Sequence, residues 1–260
     1  MLWEEGKTMI KSFLGNDRSI LCTVLQYREK EQAIGVIRNA LAQGTEAFLL
    51  QIESLADEHK NIETFRNIIV EMHGKPCYVT NYRTGTNTGK SDETLAEEML
   101  LYAENGATLC DVMGDMFCEH PEQMTDNPGA IDKQIRYIEE LHKRGAEVLM
   151  SSHIFKFTPA ERVLEIALEQ KRRGADIIKI VVAAKTMDEQ IENIRITNLL
   201  KEELGAPFLF LSNGESSVHR RLGMKLGCCM CLCVYEHHML STPAQPLLSV
   251  VKTIRNDIGF

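Results

Sequence analysis

Several common features are scarce or missing in this chain. Seven prolines are spread through 260 residues, and proline, glycine and serine nowhere crowd together as a linker. The expectation is therefore one domain over residues 1–260, with a short N-terminal extension over about residues 1–18. The longest apolar run, around Gly227 to Tyr235, falls far short of the roughly 20 residues that span a bilayer. The opening MLWEEGKTMIKSFLG has two early glutamates and no continuous apolar core, which does not read as a signal peptide. With a net charge of −8 and no dominating basic block, nucleic acid is not an expected partner. These absences point to a soluble, cytoplasmic protein with no membrane partner, in which local arginines can still hold a small anion.

A CxxC pair is also missing. Cys228, Cys229, Cys231 and Cys233, followed by His237 and His238, form the densest group of potential metal ligands. Their C-C-x-C-x-C spacing is not that of a structural zinc site. On a strand, Cys229, Cys231 and Cys233 share one face and Cys228 points the other way. Packing as small core residues is the favoured reading and zinc the alternative. Without a secretory signal, a disulfide framework is not expected.

What is present is an ordinary globular composition, 44% hydrophobic and 25% charged, sufficient for a sizeable core. The chain returns repeatedly to a helical segment, a glycine and then an apolar run. The glycines are Gly44, Gly74, Gly106, Gly145, Gly174, Gly205 and, less cleanly, Gly227. Glycine tolerates the left-handed conformation that ends a helix, so each predicts a cap before the next strand. With ILCTVL at Ile20 to Leu25 as the first, the strands number eight. Helical spacing marks Glu29 to Gln43, Ser91 to Asn105, Ile131 to Arg144, Pro159 to Arg173 and Met187 to Leu204. Ser91 is a candidate N-cap, and Pro159 a candidate first helical residue. Eight βα units at this length predict an α/β fold, a (β/α)8 TIM barrel in one domain. A doubly wound open sheet is the alternative, but no G-x-G-x-x-G turn follows the first strand.

Chemistry in such a barrel collects at the C-terminal ends of the strands. The polar residues predicted there are Gln51 and Glu53, then Asn81 and Arg83, Asp111, and Ser151, Ser152 and His153. Lys179, Ser212, Asn213, Arg220 and Arg221 follow, and after the last strand Glu236, His237, His238, Ser241 and Gln245. Lys179 stands out because it interrupts the β-branched run ADIIKIVVAAKT, where a charged amine is costly unless paired, solvated or neutral. His153 falls on the neighbouring strand, about 4.8 Å away. A desolvated lysine attacks ketones, and a histidine beside the resulting iminium can move protons. The residues equally allow a lysine that snorkels to the barrel mouth or pairs with a carboxylate such as Asp111, beside a histidine that is hydrogen-bonded core.

The segment MSSHIFKFTPAERVLEIALEQKRRGADIIKIVV resembles the type I 3-dehydroquinate dehydratase family. That family carries S-x-H-[DN]-F-x-x-T-P on its fifth strand and a Schiff-base lysine on its sixth. Ser151, His153, Phe155, Thr158 and Pro159 match, and Lys179 falls at the expected distance. SVHRRL resembles the arginine-bearing turn, with Arg221 at the carboxylate-binding position. STPAQ resembles the substrate-covering loop through Ser241 and Gln245. Arg83 and Asp111 fall at the arginine and aspartate that end the third and fourth strands.

The resemblance implies a hydro-lyase in which Lys179 forms an iminium with a cyclic keto-acid and His153 is the general acid/base. It further implies Arg221 on the substrate carboxylate, no metal or organic cofactor, and a homodimer. Four departures accompany it. The strand 2 motif E-x-R is Gln51-Ile52-Glu53, and D-x-E is Asp111-Val112-Met113. The loop glutamate that pairs with the histidine falls at Asn87, and Ile154 replaces the Asp or Asn after the histidine. The expected substrate is 3-dehydroquinate or a relative differing in its ring hydroxyls. A class I aldolase-like lyase on another carbonyl compound is one alternative. A catalytically weak paralogue that binds a shikimate-like acid is another.

Overall fold

The computed structural model describes residues 11–214 and 217–258. The first ten residues, most of the expected N-terminal extension, lie outside them. Among the described residues, eight parallel strands alternate with eight α-helices and form a nearly closed (β/α)8 barrel. The strands are β1 Ile20–Leu25, β2 Ala47–Gln51, β3 Cys77–Thr80, β4 Leu109–Met113, β5 Glu147–His153, β6 Ile177–Ala184, β7 Phe208–Gly214 and β8 Met230–Cys233. They pair in order from β1 to β7, β8 pairs with β1, and the Cys229 N–H donates to the Phe208 carbonyl at 2.8 Å where β7 approaches β8.

The helices are α1 Lys30–Gln43, α2 Ile62–Glu71, α3 Asp92–Glu104, α4 Pro128–Lys143, α5 Ala160–Arg172, α6 Met187–Glu203, α7 Ser217–Leu226 and α8 Leu248–Asp257. All seven glycines expected to end a helical segment have positive φ, from 57° at Gly205 to 119° at Gly227. Ser91 caps α3 by accepting from the Thr94 N–H. Pro159 departs from expectation. Its ψ of 156° is extended, so it precedes the helix and Ala160 begins it. Helix α4 starts earlier than expected, because Asn127 caps it and Pro128 occupies the first turn.

The strands are buried on both faces, one against the helices and one inside the barrel, which accounts for their near-continuous apolar runs. The N-terminal end of the barrel is sealed by Phe13. Its backbone N–H donates to Glu147 at the start of β5 (2.9 Å), and its ring meets Tyr78 edge-on at 6.3 Å. The C-terminal end is left to polar residues. Ser151 stands opposite Lys179 in the β5–β6 ladder and His153 opposite Val181, so His153 sits two residues nearer the mouth.

The cysteines near β8 are packing residues. The thiols of Cys228, Cys231 and Cys233 lie against the separate carbonyls of Phe210, Arg220 and Cys22. Burial pushes the Cys228 and Cys231 thiols up to about 12. Among the described residues these sulfurs do not gather into a metal-ligand group, and no helix is long and apolar enough to cross a membrane.

Candidate active site

The β6 run places Lys179 inside the barrel, 4% exposed. Its Nζ donates to Tyr82 Oη at 2.7 Å, to Tyr78 Oη at 3.0 Å and to Asp111 Oδ2 at 3.2 Å. An ammonium has three protons, and these three acceptors satisfy them. Asp111, buried at the end of β4, also accepts from both tyrosine hydroxyls and from Ser151 Oγ at 2.5 Å. Burial, reinforced by the Asp111 charge, holds both phenols well above their ordinary range, so they remain donors. The two rings stand 5.5 and 5.4 Å from Nζ and add cation–π attraction. The residues had allowed a pairing of Lys179 with Asp111, and the structure contains it.

His153 ends β5 and faces Tyr82 edge to face at 5.3 Å. Burial lowers its pKa well below the ordinary histidine value, and the charges of Lys179 and Arg220 lower it further. Its partner is Gln123, from the stretch between β4 and α4. Gln123 Oε1 lies 2.9 Å from both the His153 backbone N and Nδ1. Sequence reasoning missed this residue. The signal available was the long polar stretch 114–127 at the functional end of a barrel strand, since loops of that length commonly carry function. Its packing explains the placement. A Cβ at Gly114 would lie 2.5 Å from the Gln123 carbonyl oxygen, so the glycine lets the loop close onto β4. Ser152 Oγ then donates to that same oxygen at 2.7 Å.

A cleft of about 380 Å³ opens over this group, lined among others by Tyr82, Arg83, Met113, Gln123, His153 and Phe155. Lys179 is not in its wall. Tyr82, which is, lies between the cleft and the amine.

The other residues singled out in the sequence divide by position. Arg83 lines the cleft, but its guanidinium is held by Asp92 (2.6 Å) and Asp115 (2.9 Å). Although burial works against its charge, the two carboxylates keep it above its ordinary range. Arg220 is buried, donates to the Ser212 carbonyl at 3.0 Å and to Asn213, and is brought down to about 10 by burial. Arg221 follows it on α7, half-buried.

Asn87 is fully buried and does not meet His153. Its amide donates to Asn81 and to the Tyr82 carbonyl, and its oxygen accepts from Lys60. Gln51 accepts from Gln26 at 2.8 Å, and Gln26 in turn accepts from the Thr242 N–H at 3.2 Å. That chain ties β1 and β2 to the loop holding Ser241 and Gln245. Ser241 Oγ donates to the His238 carbonyl at 2.8 Å. Gln245 Oε1 is buried with no hydrogen-bond donor among the described residues. Glu53 lies not on a strand but on a 3-10 turn, Ile52–Ser54, which turns its carboxylate to Thr80 Oγ1 at 2.8 Å and the Tyr82 N–H at 3.3 Å. Burial pushes it up to about 7.

The (β/α)8 barrel agrees with the comparisons to known proteins. A model of the type I 3-dehydroquinase family matches residues 21–258. The 3-dehydroquinate dehydratase of Listeria monocytogenes serotype 4a (strain HCC23) is 26% identical over 204 residues, covering 77% of this chain and 75% of that one. The 3-dehydroquinate dehydratase of Geobacillus kaustophilus HTA426 has the same fold, with a TM-score of 0.81 at 14% identity over 96% of each chain. The type I 3-dehydroquinate dehydratase of Clostridium difficile, solved with covalently modified comenic acid, gives 0.78 at 18% identity over 94% of this chain and 95% of that one. On the match across residues 21–258, this chain belongs to the type I 3-dehydroquinase family.

Proposed function

We propose that this chain is a Schiff-base hydro-lyase for a cyclic keto-acid, 3-dehydroquinate or a relative with fewer ring hydroxyls. The observation that carries this reading is a buried Lys179, hydrogen-bonded to Asp111, beneath a cleft whose wall contains His153. The resident ammonium passes a proton to the Asp111 carboxylate. The freed amine then adds to the substrate ketone, and the carbinolamine hydroxyl leaves as water with the proton held by Asp111, giving the iminium. The iminium acidifies the neighbouring C–H, whose proton moves to Nε2 of His153. The enamine expels the β-hydroxyl, which leaves as water with the proton from His153, and a second water hydrolyses the iminium to release product and restore the ammonium. Arg221 is the candidate clamp for the substrate carboxylate, from its place in the SVHRRL turn that resembles the family's arginine-bearing turn. Gln245 and Ser241 close over the ring, and a substrate hydroxyl would satisfy the buried Gln245 Oε1.

The preference for fewer hydroxyls rests on the residues around the site. Gln51 and Glu53 are hydrogen-bonded within the protein, and Met113 presents an apolar wall to the cleft where the family motif has glutamate. A ring hydroxyl left without a partner there costs about 1–3 kcal/mol. The test is turnover of 3-dehydroquinate and of analogues lacking one ring hydroxyl, followed by absorbance of the conjugated product. An analogue should show the higher kcat/KM, and Lys179→Ala should abolish turnover of each. Thermal stabilisation by these acids without any turnover would overturn the reading in favour of a binding protein.

A further inference from the structure

We infer that Gln123 is the positioning residue of the histidine base, fixing the proton of His153 on Nδ1 and leaving the Nε2 lone pair to the cleft. The inference rests on His153 acting as proposed above, and the geometry determines the direction of each bond. A backbone N–H can only donate, so the Gln123 side-chain atom 2.9 Å from the His153 nitrogen is its oxygen. The same oxygen lies 2.9 Å from Nδ1. It can only accept, so Nδ1 carries the hydrogen and Nε2 is the free base. Among the described residues Nε2 meets no hydrogen-bonding partner, while the ring lines the cleft.

The backbone holds Gln123 to this task. Its φ of 46° is left-handed, its N–H donates to the His120 carbonyl at 2.8 Å, and its carbonyl accepts from Ser152.

The choice of a neutral amide has a chemical consequence. The charged and titratable groups around the ring are Lys179 on β6, Arg220 on α7 and Tyr82 beyond β3. Along the cleft wall lie the paired Arg83 and Asp115, with Glu119 and His120. None of these carboxylates hydrogen-bonds the imidazole. Both cations that act on it oppose its protonation. An imidazolium formed by taking the substrate proton is therefore a strong acid, poised to return that proton to the departing hydroxyl. A carboxylate in place of Gln123 would stabilise the imidazolium and blunt that second step.

The test uses the full-length protein labelled with 15N-histidine, with the His153 signal identified by its loss in His153→Asn. The wild type should show Nδ1 protonated and Nε2 unprotonated at pH 7, with no titration of the ring near its ordinary value of about 6.5. Gln123→Leu should move the ring proton toward Nε2 and lower kcat by up to about 100-fold at unchanged KM. Gln123→Glu, which keeps size and fold, should raise the His153 titration by at least about one pH unit, and the acidic limb of kcat/KM with it. A wild-type ring protonated on Nε2, or a titration unmoved in Gln123→Glu, would overturn the inference. Because the ring is read in the free protein, these results are independent of the substrate. Failure to turn over any cyclic keto-acid would instead count against the proposed function.

Discussion

Between β3 and β6 the barrel mouth is ionic and densely bonded, whereas between β8 and β2 it is built from neutral amides and hydroxyls. On the first side, Lys179, Asp111, Tyr78, Tyr82 and Ser151 form one buried network, with His153 and Gln123 at its edge. On the second, Gln51, Gln26 and Thr242 link end to end, Tyr27 stacks on His238 at 4.4 Å, and Gln245 keeps an unpartnered oxygen. The contrast separates two tasks. The proposed iminium chemistry needs a lysine, a carboxylate and a base held without freedom, and residues of these types lie on the ionic side. Selecting among ring substituents needs donors and acceptors, and on the amide side the original acid and arginine of the family motif are Gln51 and Glu53.

Substitutions should affect the two sides unequally. On the ionic side, Lys179→Ala should reduce turnover to background. His153→Ala should cost about 10²–10⁴ in kcat, measured by steady-state kinetics on the best substrate. Asp111→Ala leaves a buried ammonium without its counter-charge, and denaturant unfolding should register a loss of roughly 3–5 kcal/mol. On the amide side, Gln51→Leu frees Gln26 from one bond and should cost only about 1 kcal/mol in stability, read in the same unfolding assay. A comparable loss from Gln51→Leu and Asp111→Ala would erase the distinction between the two sides.

Glu53 sits where the sides meet and provides a pH test. Its carboxyl is raised from 4.5 to about 7 in the folded protein, so the native state binds the extra proton between those values. That contribution to stability is fully present below about pH 4.5 and is lost as pH rises through about 7. Between pH 5.5 and 8.5 the wild type should lose roughly 2 kcal/mol relative to Glu53→Gln, measured by unfolding at both pH values. Parallel profiles for the two proteins would remove Glu53 from this role. His153 has the opposite sign. Its lowered value means the unfolded chain binds more protons, so its contribution is present above about pH 6.5 and declines as pH falls below it.

The barrel was legible in the sequence because local chemistry repeats it. The helix-ending glycines and the β-branched runs require no distant contact to interpret. The ten-residue helices α2, α7 and α8 were not distinguished, since so few turns carry little periodicity. Lys179 is legible as a charge inside an apolar strand, and His153 as a polar residue at the end of one. Glu53 was misplaced because alternation along a strand was carried two residues past Gln51, where the chain turns into a 3-10 segment. Tyr78 within CYVT reads as an ordinary core aromatic, and only the fold brings its hydroxyl to Lys179 across a separation of 101 residues. For Gln123 the sequence offers only the long loop 114–127, because its contact with His153 is one that no local pattern encodes.

Borohydride trapping tests the central claim most directly. The protein would be reduced in the presence of 3-dehydroquinate and its ring-hydroxyl analogues, digested, and its peptides mapped by mass spectrometry. The account predicts a stable secondary amine on the peptide containing Lys179, absent from Lys179→Ala. Turnover without any adduct at Lys179, or an adduct on a different lysine, would contradict it.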